Sequence, residues 1–283
     1  MKISKILNNN TAVVLDHNQR EQVVVGKGIT FQKKIGDKIN TALIEKHFHL
    51  SSDSLNTKFQ EILITLPMEQ VNIVENIVNE IRMTLGKKIS DSIYISLSDH
   101  IHFALLNCGK GIFVKNNILM DIIRFYPEEY KLGKKGLLII EEETGILLPD
   151  DEAGFIALHI VNAETENAAG TKNVYRATKI IEEILTIVKN YFNIEIDVDS
   201  LTYYRFINHL RYFSTRVVSG AVFKDDSKDK ELLDILSLKY KESYQCCLNI
   251  QEFIKVNYKV EIGCEELLYL TIHIQRAIYN EED

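Results

Sequence analysis

Residues 126–160 read "YPEEYKLGKKGLLIIEEETGILLPDDEAGFIALHI", and residues 240–274 read "YKESYQCCLNIQEFIKVNYKVEIGCEELLYLTIHI". Laid over one another, the two stretches align without a gap. Tyr126 falls on Tyr240, Glu128 on Glu242, Tyr130 on Tyr244, Ile140 on Ile254, Glu152 on Glu266, His159 on His273 and Ile160 on Ile274. Apolar positions track as well, Phe155 against Tyr269 and Leu158 against Ile272. Upstream, "SDHIHF" matches "INHLRY" at a slightly shorter offset, which pairs His100 with His209 and Asp99 with Asn208. A longer connection before Tyr240, where "KDDSKDK" lies, accounts for the difference. Self-similarity at a fixed spacing marks a duplicated structural unit. Two homologous all-α modules are therefore expected, over 66–170 and 171–283.

The helical character extends on both sides of the repeat. Val71, Val74, Ile77, Val78, Ile81 and Leu85 keep the i, i+3, i+4 spacing of an amphipathic helix. Further helices are expected near 92–108, 116–132, 151–163, 171–193, 199–221 and 264–279, with a broken one over 229–258. Pro149 followed by Asp150 and Asp151 is a start signal for the helix that carries His159.

The first fifty residues follow a different rule. "KISKIL" and "TAVVLD" read as strands separated by Asn8-Asn9-Asn10, and "HNQR" closes a hairpin into "EQVVVG". Gly26 and Gly28 permit a bend or bulge, after which "ITFQKK" resumes as a fourth strand. So small a sheet has little core of its own, so a second copy covering one face is expected. Residues 40–50 fit either a short helix or a strand, and 51–58 read as a polar joint. The expected fold is thus multidomain: a small antiparallel all-β domain with its linker over 1–58, then two homologous helical bundles.

Composition narrows the function classes. The 283 residues are 46% hydrophobic, enough for substantial cores, and no run of about 18 apolar residues suggests a membrane span. "MKISKILNNN" turns polar too early for a signal peptide, and Cys108, Cys246, Cys247 and Cys264 lack metal-ligand spacing. Free thiols in a cytoplasmic protein are the expectation. The net charge is −7, yet the first fifty residues hold eight basic against four acidic side chains. Such asymmetry points to a polyanion-binding module on an acidic body, or to a basic patch with no ligand.

Three chemistries fit the repeated histidines. A metal site could draw on Asp99, His100 and His102, but the two histidines stand about 200° apart on a helix, and Arg211 replaces His102 in the second copy. Acid–base catalysis lacks an accompanying Ser or Cys nucleophile motif. Reversible phosphorylation of the imidazole needs a reachable histidine and little else, and it explains duplication. No catalytic residue, metal or cofactor is called for.

At the N-terminus, a small sheet can enter the wide, shallow minor groove of helical RNA. Lys5, Lys27, Lys33 and Lys34 would neutralise phosphates, Gly26 and Gly28 would allow close backbone approach, and Phe31 would stack on a base. Asn8 and Asn10 offer amides to base edges or 2′-hydroxyls. Each has a second reading: Phe31 as core, the asparagines as turn residues, the glycines as a bulge.

Taken together, "MKISKILNNNTAVVL", "VVVGKGITFQKKIGDKI" and "IEKHF", followed by "DHI", "GFIALHI", "RFINHL" and "YLTIHI", resemble the BglG/SacY/LicT family of transcriptional antiterminators. The resemblance implies a β module that dimerises and binds a ribonucleic antiterminator hairpin, so that polymerase reads through into sugar-utilisation genes. It implies RNA contacts at Lys5, Asn10, Gly26, Lys27 and Phe31, with Asn8 and Gln32 as further candidates. Relatives often carry Arg where Lys27 stands, and Lys lacks the planar fork, so a phosphate contact is expected there. It implies phosphorylation at His100 and His159 by a sugar-specific phosphotransferase-system (PTS) transporter component, and at His209 and His273 by HPr. His102 matches no family site and is read as structural. Two rival readings are a DNA-binding regulator with the same modules, which would need a helix-turn-helix, and a His-dependent metal hydrolase.

Overall fold

The computed structural model describes residues 1–15, 20–49, 52–164, 171–220 and 227–279. Four antiparallel strands form one sheet in sequence order: β1 (Lys2–Asn8), β2 (Thr11–Leu15), β3 (Glu21–Val25) and β4 (Lys46–Phe48). Alternation along the strands splits the valines between two cores. Val24 points to the side of Ile3, Ala12, Val14, Ile29 and Ile39. Val23, Val25 and Phe48 join the core of the helices that follow. Both faces are thus covered within one chain, one by Ile29 and Ile39 of the turn segment and the other by the helices that follow.

The fourth strand is not where the sequence suggested. "ITFQKK" runs as consecutive turns, with the Phe31 N–H donating to the Gly28 carbonyl and the Lys33 N–H to that of Thr30. Gly28 (φ +64°) and Gln32 (φ 56°) are left-handed, which reverses the chain instead of extending it. The segment then returns along β1, where the Gly36 N–H donates to the Ile3 carbonyl and the Ile3 N–H to that of Asp37. That pairing blunts an otherwise open sheet edge. Of the stretch 40–50, the described residues 40–49 take both expected forms, a 3-10 turn at Thr41–Leu43 capped by Asn40, then β4. The hairpin tip at 17–19 lies outside the described residues.

The polar joint is also corrected. Ser52 caps α1 (Asp53–Leu63), its Oγ accepting from the Leu55 N–H. The exposed first turns hide the periodicity, which appears only once Phe59 and Leu63 enter the core. Phe48 meets both Phe59 and Tyr94 edge to face, Lys46 pairs with Glu75, and Gln60 donates to Glu21. The sheet and first bundle therefore form one compact unit, Met1–Ala168, and Ala169–Asp283 forms another.

The first bundle contains α2 (Met68–Leu85), α3 (Ser92–Cys108), α4 (Leu119–Phe125), α5 (Pro127–Thr144) and α6 (Asp150–Glu164). The second contains α7 (Thr171–Phe192), α8 (Leu201–Ser219), α9 (Ser227–Lys239), α10 (Lys241–Tyr258) and α11 (Cys264–Tyr279). The helix expected over 116–132 breaks at Tyr126 (φ −133°, ψ 53°), and α5 continues from Pro127 to Thr144. Tyr240, its repeat partner, breaks the second bundle with nearly the same angles (φ −116°, ψ 52°). Within each unit the helix carrying the later histidine is central: α6 packs on α3, α4 and α5, and α11 on α8, α9 and α10. All four cysteines are free thiols. Among the described residues no helix is long and apolar enough to cross a membrane.

Candidate histidine pairs and nucleic-acid surface

α6 opens on the Pro149 carbonyl, which accepts from the Glu152 N–H. From there Glu152, Phe155 and His159 fall on one face, at the i, i+3, i+7 spacing. α3 presents His100 to that face. The His100 and His159 rings lie 5.0 Å apart, His100 Nε2 is 2.9 Å from Glu152 Oε2, and Phe155 stands 5.8 Å from His100. The second bundle repeats the arrangement. His209 and His273 stack at 4.8 Å, His209 Nε2 lies 3.5 Å from Glu266 Oε2, and Tyr269 is 6.0 Å from His209. Phe206 closes the far side of His273 at 6.2 Å.

The electrostatics follow from burial. His159 is 8% exposed, and desolvation with the neighbouring His100 lowers its pKa to about 3. His209 is lowered to about 4 by burial and by the Arg216 guanidinium. His273 is lowered to about 4 by burial, His209, Arg276 and Arg205. At neutral pH these three rings are uncharged, and a neutral imidazole keeps the lone pair that a nucleophile needs.

Several members of these sites had no assigned role in the sequence. Glu152 and Glu266, and the aromatic Phe155 and Tyr269, were visible as repeat matches, yet only the geometry brings them against the histidines. Arg216, which pairs with Glu266, has no counterpart in the first copy, so no repeat comparison could raise it. His102 stands apart, its Nδ1 2.8 Å from Gln70 Oε1 on α2. Among the described residues no group of three His, Cys, Asp or Glu side chains could hold a metal ion.

In the N-terminal module, Lys5 on β1 and Lys27, Phe31, Gln32, Lys33 and Lys34 in the turns are all exposed. Phe31 is 64% exposed, so it is not core. The two asparagines do serve as turn residues. Asn10 Oδ1 accepts from the Gly28 N–H at 2.8 Å, and Asn8 Oδ1 from the Asn10 N–H at 2.8 Å. Asn8 Nδ2 donates to the Leu63 carbonyl at 2.8 Å, which ties the turn to α1. Gly26 donates to the Asn10 carbonyl, and a Cβ there would run into the Leu43 carbonyl. The glycines and asparagines therefore build the platform, while Lys27 and Phe31 project from it.

Comparison with known proteins agrees with this division. The CAT RNA-binding domain model matches residues 1–57, and the PRD domain model matches 75–163 and again 182–277. These matches define an RNA-binding regulator with duplicated control modules, not an enzyme. The chain belongs to the LicT/BglG family of transcription antiterminators. It is 44% identical to transcription antiterminator LicT of Bacillus subtilis, over 98% of this chain and 99% of that one. It is 40% identical to a beta-glucoside operon antiterminator of Dickeya chrysanthemi, over 98% of this chain and 96% of the relative. The crystal structure of GlcT CAT-PRDI is similar with a TM-score of 0.51 at 36% identity, covering 58% of this chain and 98% of that one.

Proposed function

We propose that a homodimer of this chain binds an antiterminator hairpin in leader RNA, blocks the overlapping terminator and lets polymerase read into a sugar-utilisation operon. The name of one relative, a beta-glucoside operon antiterminator, suggests a beta-glucoside operon as the target class. Contacts to RNA come from Lys5, Lys27, Phe31 and Gln32, with the Gly26 backbone and the outer edge of Asn10 beside them. Asn8 acts as the tether of that platform. Control comes from phosphorylation of His100 and His159 by the sugar-specific transporter component, and of His209 and His273 by HPr, in the cytoplasm.

The observation that carries this reading is the same His–His–Glu–aromatic arrangement built twice, with centroid separations of 5.0 and 4.8 Å. In transfer, the imidazole lone pair attacks the donor's phosphorus, the donor's bond to phosphorus breaks, and its electron pair stays with the donor. The phosphoryl group adds close to two negative charges. Two such dianions about 8 Å apart repel by ~2 kcal/mol even at a water-like dielectric, enough to bias a two-state dimer. Terminator read-through in vitro, with and without phosphorylated HPr, tests the whole reading. Equal read-through before and after stoichiometric phosphorylation would refute the control, and read-through without any RNA binding would refute the mechanism.

A further inference from the structure

The two histidine pairs share a geometry but not a charge environment. On α8, Arg205 stands one turn before His209 and Arg216 two turns after it; on α11, Arg276 stands one turn beyond His273. All three therefore lie on the helix faces that carry the histidines. At the matching positions around His100 and His159 the first bundle has Ser96, Asn107 and Asn162. Three guanidinium groups in one copy are thus three neutral polar side chains in the other.

Arg216 also changes the role of the buried glutamate. In the second bundle it pairs with Glu266, whose side chain is 3% exposed against 43% for the arginine. The other side of that carboxylate faces His209 at 3.5 Å, and Glu265 adds a second negative charge near the guanidinium. In the first bundle Glu152 faces His100 at 2.9 Å with no guanidinium at the Arg216 position. A phosphoryl dianion on His100 would therefore meet an unshielded, buried carboxylate. On His209 it would meet a carboxylate already neutralised by the Arg216 guanidinium.

We propose that Arg205, Arg216 and Arg276 form a guanidinium rim that receives the phosphoryl group on His209 or His273, making the second pair an oxyanion-binding site and leaving the first pair without one. The inference rests on the phosphohistidine reading above and adds a sign to it. Modification of the second pair closes the bundle around a neutralised anion, whereas modification of the first pair forces α3 and α6 apart.

The test uses the full chain in two reactions, one with HPr and one with the sugar-specific transporter component, each donor phosphorylated and unphosphorylated at a fixed ratio, and phosphopeptide mass spectrometry of each histidine at equilibrium. Arg216→Asn with Arg276→Asn should lower the equilibrium constant for the second pair at least tenfold and leave His100 and His159 within twofold. Arg205→Ser with Arg276→Asn keeps the Glu266 ion pair, so it carries the test if loss of Arg216 unfolds the bundle. Wild-type constants in both variants, or equal falls at both pairs, would overturn the rim. If HPr modifies neither His209 nor His273 in the wild type, the phosphohistidine reading itself fails. Inorganic phosphate, followed on the imidazole proton resonances, then judges the rim alone. A saturable shift at His209 and His273 that the variants abolish upholds it, and no shift removes it.

Discussion

Phe31 separates binding from folding more cleanly than any other residue in the N-terminal module. Its side chain is 64% exposed, so Phe31→Ala removes roughly a third of a Phe side chain's buried area, about 70 Å². At about 25 cal/mol per Å² the stability cost is at most ~1.7 kcal/mol, and less once residual burial in the unfolded chain is counted. Loss of a base stacked on the ring costs ~1–3 kcal/mol of binding, roughly a 5- to 160-fold rise in Kd. Ile29, two residues away, is 1% exposed, and Ile29→Ala should cost about 2–5 kcal/mol of stability instead. Fluorescence anisotropy with a labelled stem-loop RNA at fixed salt, alongside urea unfolding, reads both quantities. If Phe31→Ala binds within twofold of wild type while remaining folded, the ring does not stack on RNA and the assignment of this surface is wrong.

Gly26→Ala places a methyl group against the Leu43 carbonyl, and the strain should lower the free energy of unfolding by ~1–3 kcal/mol, read as a lower urea midpoint at unchanged m. Lys27→Ala, at an exposed phosphate contact, should reduce the salt dependence of RNA affinity by about one unit of log–log slope without altering sequence preference. His159, His209 and His273 all have folded pKa values below the unfolded value near 6.5, so the stability tied to their neutral forms is complete above that pH. It should fall by up to ~1.4 kcal/mol per pH unit for each group as the pH drops towards 4, and His159→Gln should remove one group's share of that slope in urea titrations. His100, with 20% of its side chain exposed, should accept a phosphoryl group faster than the more enclosed His159, which phosphopeptide time courses can follow.

The duplication was legible because identical side chains at identical spacing survive without any knowledge of packing. Helix α2 was legible too, since its buried face is uninterrupted from Val71 to Ile81. What could not be read were features decided by contacts distant in sequence. The "ITFQKK" run has strand composition, but left-handed Gly28 and Gln32 turn it, and β4 takes the sheet position instead. The start of α1 looks polar because its first turns are largely exposed, and Phe48 and Tyr94, the partners that bury Phe59, come from β4 and α3. Asn8 drew attention as an amide for RNA, and only the fold reveals that Leu63 claims it. Arg216 carried no periodic or repeat signal, because the property that matters is its absence from the other copy.

α6 is enclosed along nearly its whole length, from Ala153 to Ala163, and His159 lies midway along it. A donor protein's active site cannot touch a ring so placed while the helix keeps its native seat. On the proposed control, modification there waits for the bundle to breathe, and its rate is then capped by how often that happens. Anything that tightens the packing around α6 would act as a brake on chemistry it never contacts.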